Sequence, residues 1–112
     1  MAESKPATVI CSYKVKPGKG PEFEDLLRKH WNTLRDAGLV TSTPPRIFRG
    51  LASPKGRHGA ENVYVEIFEW KDDKASGLAH QSPKVMAVWE PMGTLCDDMD
   101  FPHFEPIQLV DA

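Results

Sequence analysis

The chain has 112 residues, with a net charge of −2 and an isoelectric point of about 6.1. This length, with 40% hydrophobic and 27% charged residues, is typical of a globular chain that buries one core, so we expect one domain over residues 1–112. The lack of a basic field argues against nucleic acid as a partner. No apolar run approaches the roughly 20 residues of a membrane helix, which argues against a membrane partner.

Two further features concern the compartment in which the protein works. The first six residues carry no apolar signal core, so we expect a cytoplasmic protein. The two cysteines, Cys11 and Cys96, fall in separate predicted elements. Two free thiols are the expected state in a reducing compartment, and a disulfide or a reactive pair is the alternative.

The first half of the chain begins with a predicted strand and a predicted helix. Residues 7–15 alternate in a β-rich pattern, and residues 16–20 form a turn cluster of lysine, proline and glycine. A helix is predicted from about Pro21, with a C-terminal cap near Gly38. An apolar stripe at helical spacing supports it, formed by Phe23, Leu26, Leu27, His30, Trp31 and Leu34.

The middle of the chain contains two predicted strands. After a loop over residues 39–45, a second strand is predicted over residues 46–53, weakened at Gly50. Residues 54–61 form a long hairpin loop, which is either a solvated loop or a mobile flap over an anionic ligand. Its basic residues are Lys55, Arg57 and His58. Residues 62–70 are rich in β-branched and aromatic side chains and are mostly apolar on both faces, which predicts a central strand.

A second helical region follows the central strand. Residues 74–81 are predicted to form a short helical segment, and Ser82 followed by Pro83 is typical of an N-cap and a first helical position. A helical pattern then runs through Val85, Trp89, Met92, Leu95, Cys96 and Met99. Because proline removes a backbone donor and clashes with the preceding turn, we expect a kink or a restart at Pro91.

The order of elements predicts the fold. Residues 103–110 form a predicted last strand, in which Pro106 indicates an edge strand or a bulge. The resulting β-α-β-β-α-β order is that of an α+β, ferredoxin-like antiparallel sheet with helices on one face. Since the central strand is apolar on both sides, its other face also needs cover. Packing against the same face of a second chain, as a C2 homodimer, provides that cover.

The stretch from the central strand to the second helix resembles a known signature. Residues 65–72, Ala75 and residues 80–83 are similar to the strand-then-helix signature of the dimeric α+β barrel superfamily, in its antibiotic-biosynthesis-monooxygenase-like branch. The resemblance implies a homodimer whose sheets face each other and a pocket in each protomer between sheet and helices. Some members of that branch are cofactor-free oxygenases of polycyclic aromatic compounds, others degrade haem, and many have no established activity. Residues 89–92 and 101–104 lie outside the signature.

Three polar residues are candidates for catalysis. His80 either contacts a ligand and shuttles a proton, or braces the break between the two helical segments. Glu66 is a carboxylate among aromatic side chains, so it must be neutralised or paired with a cation such as Arg46, Arg49 or a histidine. A structural ion pair, including one at a dimer interface, is an equal alternative for Glu66. His30 lies on the apolar stripe of the first helix and is either a core histidine or a pocket residue.

Aromatic side chains are candidates for ligand binding. Trp70 either stacks on a flat ligand or packs in the core, and the remaining candidates are Tyr64, Phe68, Trp31, Trp89 and His103. His103 and Glu105 share a strand face, but no third ligand stands at a diagnostic spacing, so we predict no metal site. The chain also lacks nucleotide-binding fingerprints and hydrolase motifs, and we predict no cofactor.

These residues allow three functions. The first is a small cofactor-independent monooxygenase acting on an aromatic or polycyclic compound, in which a base removes a phenolic proton and the anion reacts with oxygen. The second is a non-catalytic dimeric module, for ligand binding or stress, that uses the same pocket. The third is haem binding or degradation with His80 or His30 on iron, which no feature of the sequence favours.

Overall fold

The computed structural model describes residues 5–53, 55–57 and 59–111. The elements in chain order are β1 Ala7–Val15, α1 Gly20–Asp36, β2 Arg46–Arg49, β3 Val63–Trp70, α2 Ala75–His80, α3 Pro83–Thr94, β4 Cys96–Asp100 and β5 His103–Phe104. Among these described residues, none of the helices has the length and apolar character needed to cross a membrane.

The strands form one antiparallel sheet in the order β2-β3-β1-β4, and β5 also pairs with β1. The pairs Ser12–Asp100 and Thr8–Phe104 keep one register, so β4 and β5 are two parts of one edge strand. The interruption falls at Pro102, whose carbonyl accepts a hydrogen bond from the amide of Ile10 at 3.1 Å. This strand order confirms the predicted ferredoxin-like α+β fold.

The central strand β3 has one fully buried face. Its buried residues are Tyr64, Glu66, Phe68 and Trp70. They lie under the helices, because Glu66 contacts His30 of α1 and the aromatic rings join the same core. The opposite face, with Val65 and Ile67, is only half-buried. The carboxylate of Glu66 therefore points toward the helices.

Helix α1 packs its predicted stripe on this face, burying Phe23, Leu27, His30 and Leu34. Its end is the predicted glycine cap, because Gly38 has a φ of +73°. The amide of Gly38 donates to Arg35, and the amide of Leu39 donates to Leu34, which is the Schellman arrangement. The predicted start of α3 is also confirmed, since Ser82 Oγ accepts a hydrogen bond from the amide of Val85 at 3.3 Å.

Helix α3 runs through Pro91 and ends at Thr94, so the chain does not restart there, and a kink stays a prediction. Two predictions about the end of the chain are wrong. Residues 96–100 form strand β4 instead of further helix, because the free edge of β1 pairs with them, beginning at Val15 and Cys96. The last strand stops at Phe104 instead of residue 110, and Ile107 and its neighbours are exposed.

The second strand is shorter than predicted. It ends at Arg49, since Gly50 already lies against the hairpin partner, where an added Cβ would meet the carbonyl oxygen of Ala60 at 1.9 Å. In the basic loop, Lys55 and Arg57 are exposed, whereas His58 and Pro54 lie outside the described residues.

The two cysteines are free thiols in neighbouring strands. Cys96 pairs with Val15, whereas Cys11 lies four residues further along β1. At a strand rise of about 3.3 Å per residue this separates the two Cα positions by about 13 Å. A disulfide needs Cα atoms within about 7 Å, so the folded chain cannot close one between them.

Candidate functional site

A buried carboxylate is the centre of the site. Glu66 has no exposed surface, and its Oε1 accepts hydrogen bonds from Tyr13 Oη at 2.8 Å and from His30 Nδ1 at 2.8 Å. The register explains the first bond, because Cys11 stands opposite Glu66 and Tyr13 is its diagonal neighbour on the same face. Among the partners proposed from the sequence, a histidine is the one found.

The two proposed arginine partners of Glu66 lie elsewhere. Arg49 binds Glu24 through Nη2 at 2.9 Å, and Arg46 stacks over the ring of Phe48 at 5.0 Å. Both arginines belong to β2, which is one of the two edge strands of the sheet and is exposed throughout. Their long side chains reach solvent there, whereas α1 presents His30 directly above β3.

The histidine connects the carboxylate to a tryptophan. Trp89 Nε1 donates to His30 Nε2 at 2.7 Å. Because an indole nitrogen only donates, His30 Nε2 is the acceptor and Nδ1 carries the proton that it donates to Glu66. The four residues Tyr13, Glu66, His30 and Trp89, which we call the buried network, thus join two strands and two helices.

Burial and charge keep the hydroxyl of the network protonated. Burial, followed by the charge of Glu66, raises the pKa of Tyr13 far above its ordinary value. The same two causes, in the same order, raise the pKa of the Cys11 thiol. Tyr13 therefore acts as a hydrogen-bond donor to the carboxylate across the ordinary pH range.

A small cavity adjoins the two ends of the network. It has a volume of about 160 Å³ and is lined by Tyr13, His80, Trp89, Met92, Met99 and Phe101. Its walls are almost wholly apolar side chains. His80, at the end of α2, is exposed and stands edge-on to the Trp89 ring at 4.8 Å. We call this space the inner cavity, and His80 contributes an imidazole to its lining.

Three buried polar atoms have no hydrogen-bond partner within the described ranges: Glu66 Oε2, Trp31 Nε1 and Trp70 Nε1. Glu66 thus holds two donors on one oxygen and leaves the other free. Since a buried, unpaired polar atom costs about 1–3 kcal/mol, such atoms are typical of functional sites.

The remaining candidates are dispersed. Trp70 packs edge-on against Phe68 at 5.0 Å, and Phe68 packs edge-on against His30 at 5.7 Å, so both rings belong to the core behind the network. Trp31 is half-buried under the guanidinium of Arg35. His103 is exposed on β5, at the sheet edge. The structure therefore brings His80 and Trp89 to the inner cavity, with Glu66 and His30 one layer behind.

Tyr64 serves a different part of the molecule. Its hydroxyl donates to Glu24 Oε2 at 2.7 Å and lies outside the inner cavity.

Sequence reasoning missed four residues that line the inner cavity: Tyr13, Met92, Met99 and Phe101. The alternation of β1 already placed Tyr13 on an apolar face, and the helical spacing from Trp89 to Met92 indicated a shared surface. Met99 was predicted on a helix and lies instead on β4, and Phe101, which follows that strand, gave no signal.

No group of three or more histidine, cysteine or acidic side chains in the described part of the chain could hold a metal ion.

Solved structures resemble this chain over nearly its whole length. SnoaB, a cofactor-independent oxygenase from Streptomyces nogalater, gives a TM-score of 0.72 at 18% identity, covering 97% of this chain and 100% of its own. A putative antibiotic biosynthesis monooxygenase from Bordetella bronchiseptica gives 0.72 at 16% identity, covering 93% and 99%. A NIPSNAP family protein from Agrobacterium tumefaciens gives 0.65 at 10% identity, covering 98% and 93%.

These comparisons confirm the predicted fold, because the antibiotic biosynthesis monooxygenases and the NIPSNAP family protein share this ferredoxin-like α+β arrangement. No protein-family profile and no curated protein sequence matches the chain.

Proposed function

We propose that the protein binds an aromatic small molecule in the inner cavity and oxidises it as a cofactor-independent monooxygenase. The observation that carries this proposal is the position of the buried network, whose Tyr13 and Trp89 form part of the cavity wall. Apolar walls with few polar groups are typical of sites for small organic ligands. SnoaB, which has the same fold, is a cofactor-independent oxygenase, and this likeness supports the chemistry.

The size of the cavity narrows the ligand class. Its volume is about 160 Å³, and a cavity of about 150 Å³ lined by apolar side chains accommodates benzene. We therefore expect a single-ring compound to fit the cavity as it stands. A polycyclic compound requires its thioether walls, Met92 and Met99, to move, and methionine is the side chain best suited to such adjustment.

The proposed reaction uses a phenol and oxygen. A base removes the phenolic proton, and the anion is electron-rich at the ring carbon para to its oxygen. That carbon forms a bond to O₂, and the O–O bond of the resulting peroxide then breaks. One oxygen stays on the ring as a carbonyl, and the other leaves as water with the hydroxyl and ring hydrogens. The phenol loses four electrons to O₂ and becomes a quinone, so atoms and electrons balance.

The residues of the site have separate roles in this proposal. His80 is the base, because it lines the cavity and makes no hydrogen bond to another described residue. Glu66 and His30 are positioning residues, which fix the hydroxyl of Tyr13 and the indole of Trp89 through the network. The rings of Tyr13 and Trp89, fixed by these bonds, are the surfaces that contact the ring of the ligand.

We also propose that the protein is a homodimer formed by its open sheet face. That face contains Ile10, Val65, Ile67, Phe48 and Phe104, which are half-buried or exposed in the single chain. Both helices α1 and α3 lie on the other side of the sheet, so this apolar surface is left without cover among the described residues. The likeness to the dimeric α+β barrel fold favours a second copy of the chain, related by a twofold axis, as the partner that covers this face.

Oxygen uptake and thermal shift with matched phenols test the proposed reaction. 2-Methoxyphenol has an acidic proton and a free para position, whereas 1,2-dimethoxybenzene carries a methyl group in place of that proton. We expect both to raise the melting temperature and 2-methoxyphenol alone to consume oxygen. His80→Ala should lower uptake by about a hundredfold or more, the usual loss for an acid–base group. The matched control is His103→Ala, an exposed histidine outside the cavity.

Binding of both compounds without any oxygen uptake would overturn the oxygenase and leave a ligand-binding module. Absence of binding by either compound would overturn the site itself.

A further inference from the structure

A second cavity lies on the other side of helix α1, beside the edge strand β2. It has a volume of about 250 Å³ and is lined by Glu24, Leu27, Arg28, Ile47, Phe48, Arg49 and Tyr64. None of these residues lines the inner cavity. The ring of Phe23 separates the two spaces, with its centroid 4.9 Å from Tyr13 on one side and 5.4 Å from Tyr64 on the other. We call this second space the outer cavity.

We infer that the outer cavity binds a small monocarboxylate with an apolar body, held by Arg28 and Arg49. This binding site is additional to the inner cavity and does not depend on the proposed oxygenase reaction. Two guanidinium groups and one carboxylate line it, so the lining carries a net positive charge. Guanidinium groups match the planar carboxylate with paired N–H donors, which makes a carboxylate the preferred anion.

Arg49 is held in place by a short chain of hydrogen bonds. Its Nη2 donates to both oxygens of Glu24 at 2.9 Å, and Tyr64 Oη donates to Glu24 Oε2 at 2.7 Å. Hydrogen bonds from Tyr64 and then Arg49 lower the pKa of Glu24, so this carboxyl group stays charged. The bonds to Glu24 use Arg49 Nη2, and a guanidinium group has five N–H donors, so others are left for a ligand.

A glycine makes room for this arrangement. A Cβ added at Gly20 would lie 2.9 Å from the Tyr64 hydroxyl, so the first residue of α1 allows that hydroxyl to reach Glu24. The hydrogen-bonded chain is therefore a product of close packing between α1 and β3. It orients Arg49 before any ligand arrives, which reduces the entropy lost on binding.

The second arginine is available to a ligand. Arg28 forms an ion pair with Asp25 on α1, in which both side chains are about two-thirds exposed. An exposed pair of this kind contributes at most about 1 kcal/mol, so a ligand carboxylate can compete for the guanidinium. The carboxylate of a ligand between Arg28 and Arg49 then receives donors from both sides.

The rest of the lining fits an apolar body. Leu27 contributes a buried apolar side chain, and Ile47, on the same sheet face as Arg49, is 46% exposed. Its volume is about 250 Å³, whereas an apolar cavity of about 150 Å³ accommodates one benzene ring. The outer cavity therefore has room for one ring and a short acid group. Phenylacetate is therefore a suitable probe.

Titration calorimetry with phenylacetate tests this inference, with 2-phenylethanol as the uncharged analogue of the same shape. We expect phenylacetate to bind and 2-phenylethanol to bind at least about tenfold more weakly, the loss that corresponds to charged hydrogen bonds. Arg28→Gln and Arg49→Gln should each weaken phenylacetate binding by about tenfold. Each has a matched control that does not line the cavity: Arg35→Gln on α1 and Arg46→Gln on β2.

The absence of phenylacetate binding at about 10 mM would overturn the inference. Equal affinities for phenylacetate and 2-phenylethanol would also overturn it, as would control substitutions that weaken phenylacetate binding as much as Arg28→Gln and Arg49→Gln do. Arg28→Gln leaves the Arg49–Glu24–Tyr64 bonds intact, so it tests the ligand contact even if Arg49→Gln disturbs the fold.

Discussion

Trp89 Nε1 donates a 2.7 Å hydrogen bond to His30 Nε2 and thereby sets the tautomer of the histidine. The proton on Nδ1 is then directed at Glu66 Oε1, 2.8 Å away. A tryptophan on α3 thus controls which proton a histidine on α1 presents to a carboxylate on β3. The inner cavity lies against the same tryptophan, so a ligand there contacts the end of this chain of bonds.

Trp89→Phe removes the donor while keeping an aromatic ring in the wall. We expect His30 to lose its fixed tautomer and the protein to lose about 1 kcal/mol of stability, the usual value of one hydrogen bond. Nitrogen-15 NMR of the imidazole distinguishes the tautomers directly. Wild-type protein should show the Nδ1–H form alone, and an Nε2–H form in the wild type would contradict the hydrogen-bond assignment.

Glu66→Ala leaves two buried donors, those of Tyr13 and His30, without an acceptor. Because each unpaired group costs about 1–3 kcal/mol, we expect a loss of about 2–6 kcal/mol in the free energy of unfolding. Urea unfolding measures it. Glu69→Ala on the same strand is the control, since Glu69 is half-buried and bonds only to Thr41 among described residues. A smaller loss for Glu66→Ala than for Glu69→Ala would contradict the role given to the network.

The cysteines should be unreactive at neutral pH. Burial, followed by the charge of Asp97, raises the pKa of Cys96 to about 11, and burial raises that of Cys11 further. Since the thiolate is the reactive form, we expect iodoacetamide at pH 8 to label Cys96 in the folded protein at least about tenfold more slowly than in the unfolded chain. Labelling should accelerate as the pH rises toward 11, with Cys96 modified before Cys11.

Denatured, unreduced protein should titrate as two free thiols per chain. Fewer thiols, or faster labelling of Cys11 than of Cys96, would contradict the placement of these strands.

The proposed dimer predicts a sedimenting species of about twice 12.5 kDa at micromolar concentration. Ile67→Lys places a charge in the middle of the open sheet face and should produce monomers, because burying an unpaired charge is costly. Leu78→Lys is the control: Leu78 is 48% exposed, but it lies on α2, away from the sheet. A wild-type monomer, or equal dissociation by both substitutions, would exclude the sheet-to-sheet dimer.

The sequence predicts the fold well where local chemistry and tertiary packing agree. β1 and β3 are dense in β-branched and aromatic residues, and Gly38 caps a helix through its backbone conformation and Ser82 caps one through its side chain. The prediction for the end of the chain fails because residues 96–100 have little intrinsic strand preference. They become a strand through pairing with β1, a long-range contact that no local pattern records.

The site is predictable only in part, for a related reason. A carboxylate among aromatic residues indicates that Glu66 needs a partner, and the helical spacing places His30 on the inner stripe. The bond from Tyr13 depends on strand register, and a slip of one residue would turn that side chain to the other face. The cavity wall also depends on Phe101, which follows a strand that local sequence predicts as helix.

The resonances of the indole N–H protons report whether an aromatic ligand occupies the inner cavity. When 2-methoxyphenol is added, we expect the Trp89 Nε1–H signal to shift in a saturable way, together with the methyl signals of Met92 and Met99. The Trp31 signal should stay unchanged, because that ring lies under Arg35 and outside the inner cavity. Saturable binding that shifts the Trp31 signal and leaves the Trp89 signal in place, or no shift of the Trp89 signal at any ligand concentration, would exclude the inner cavity as the binding site.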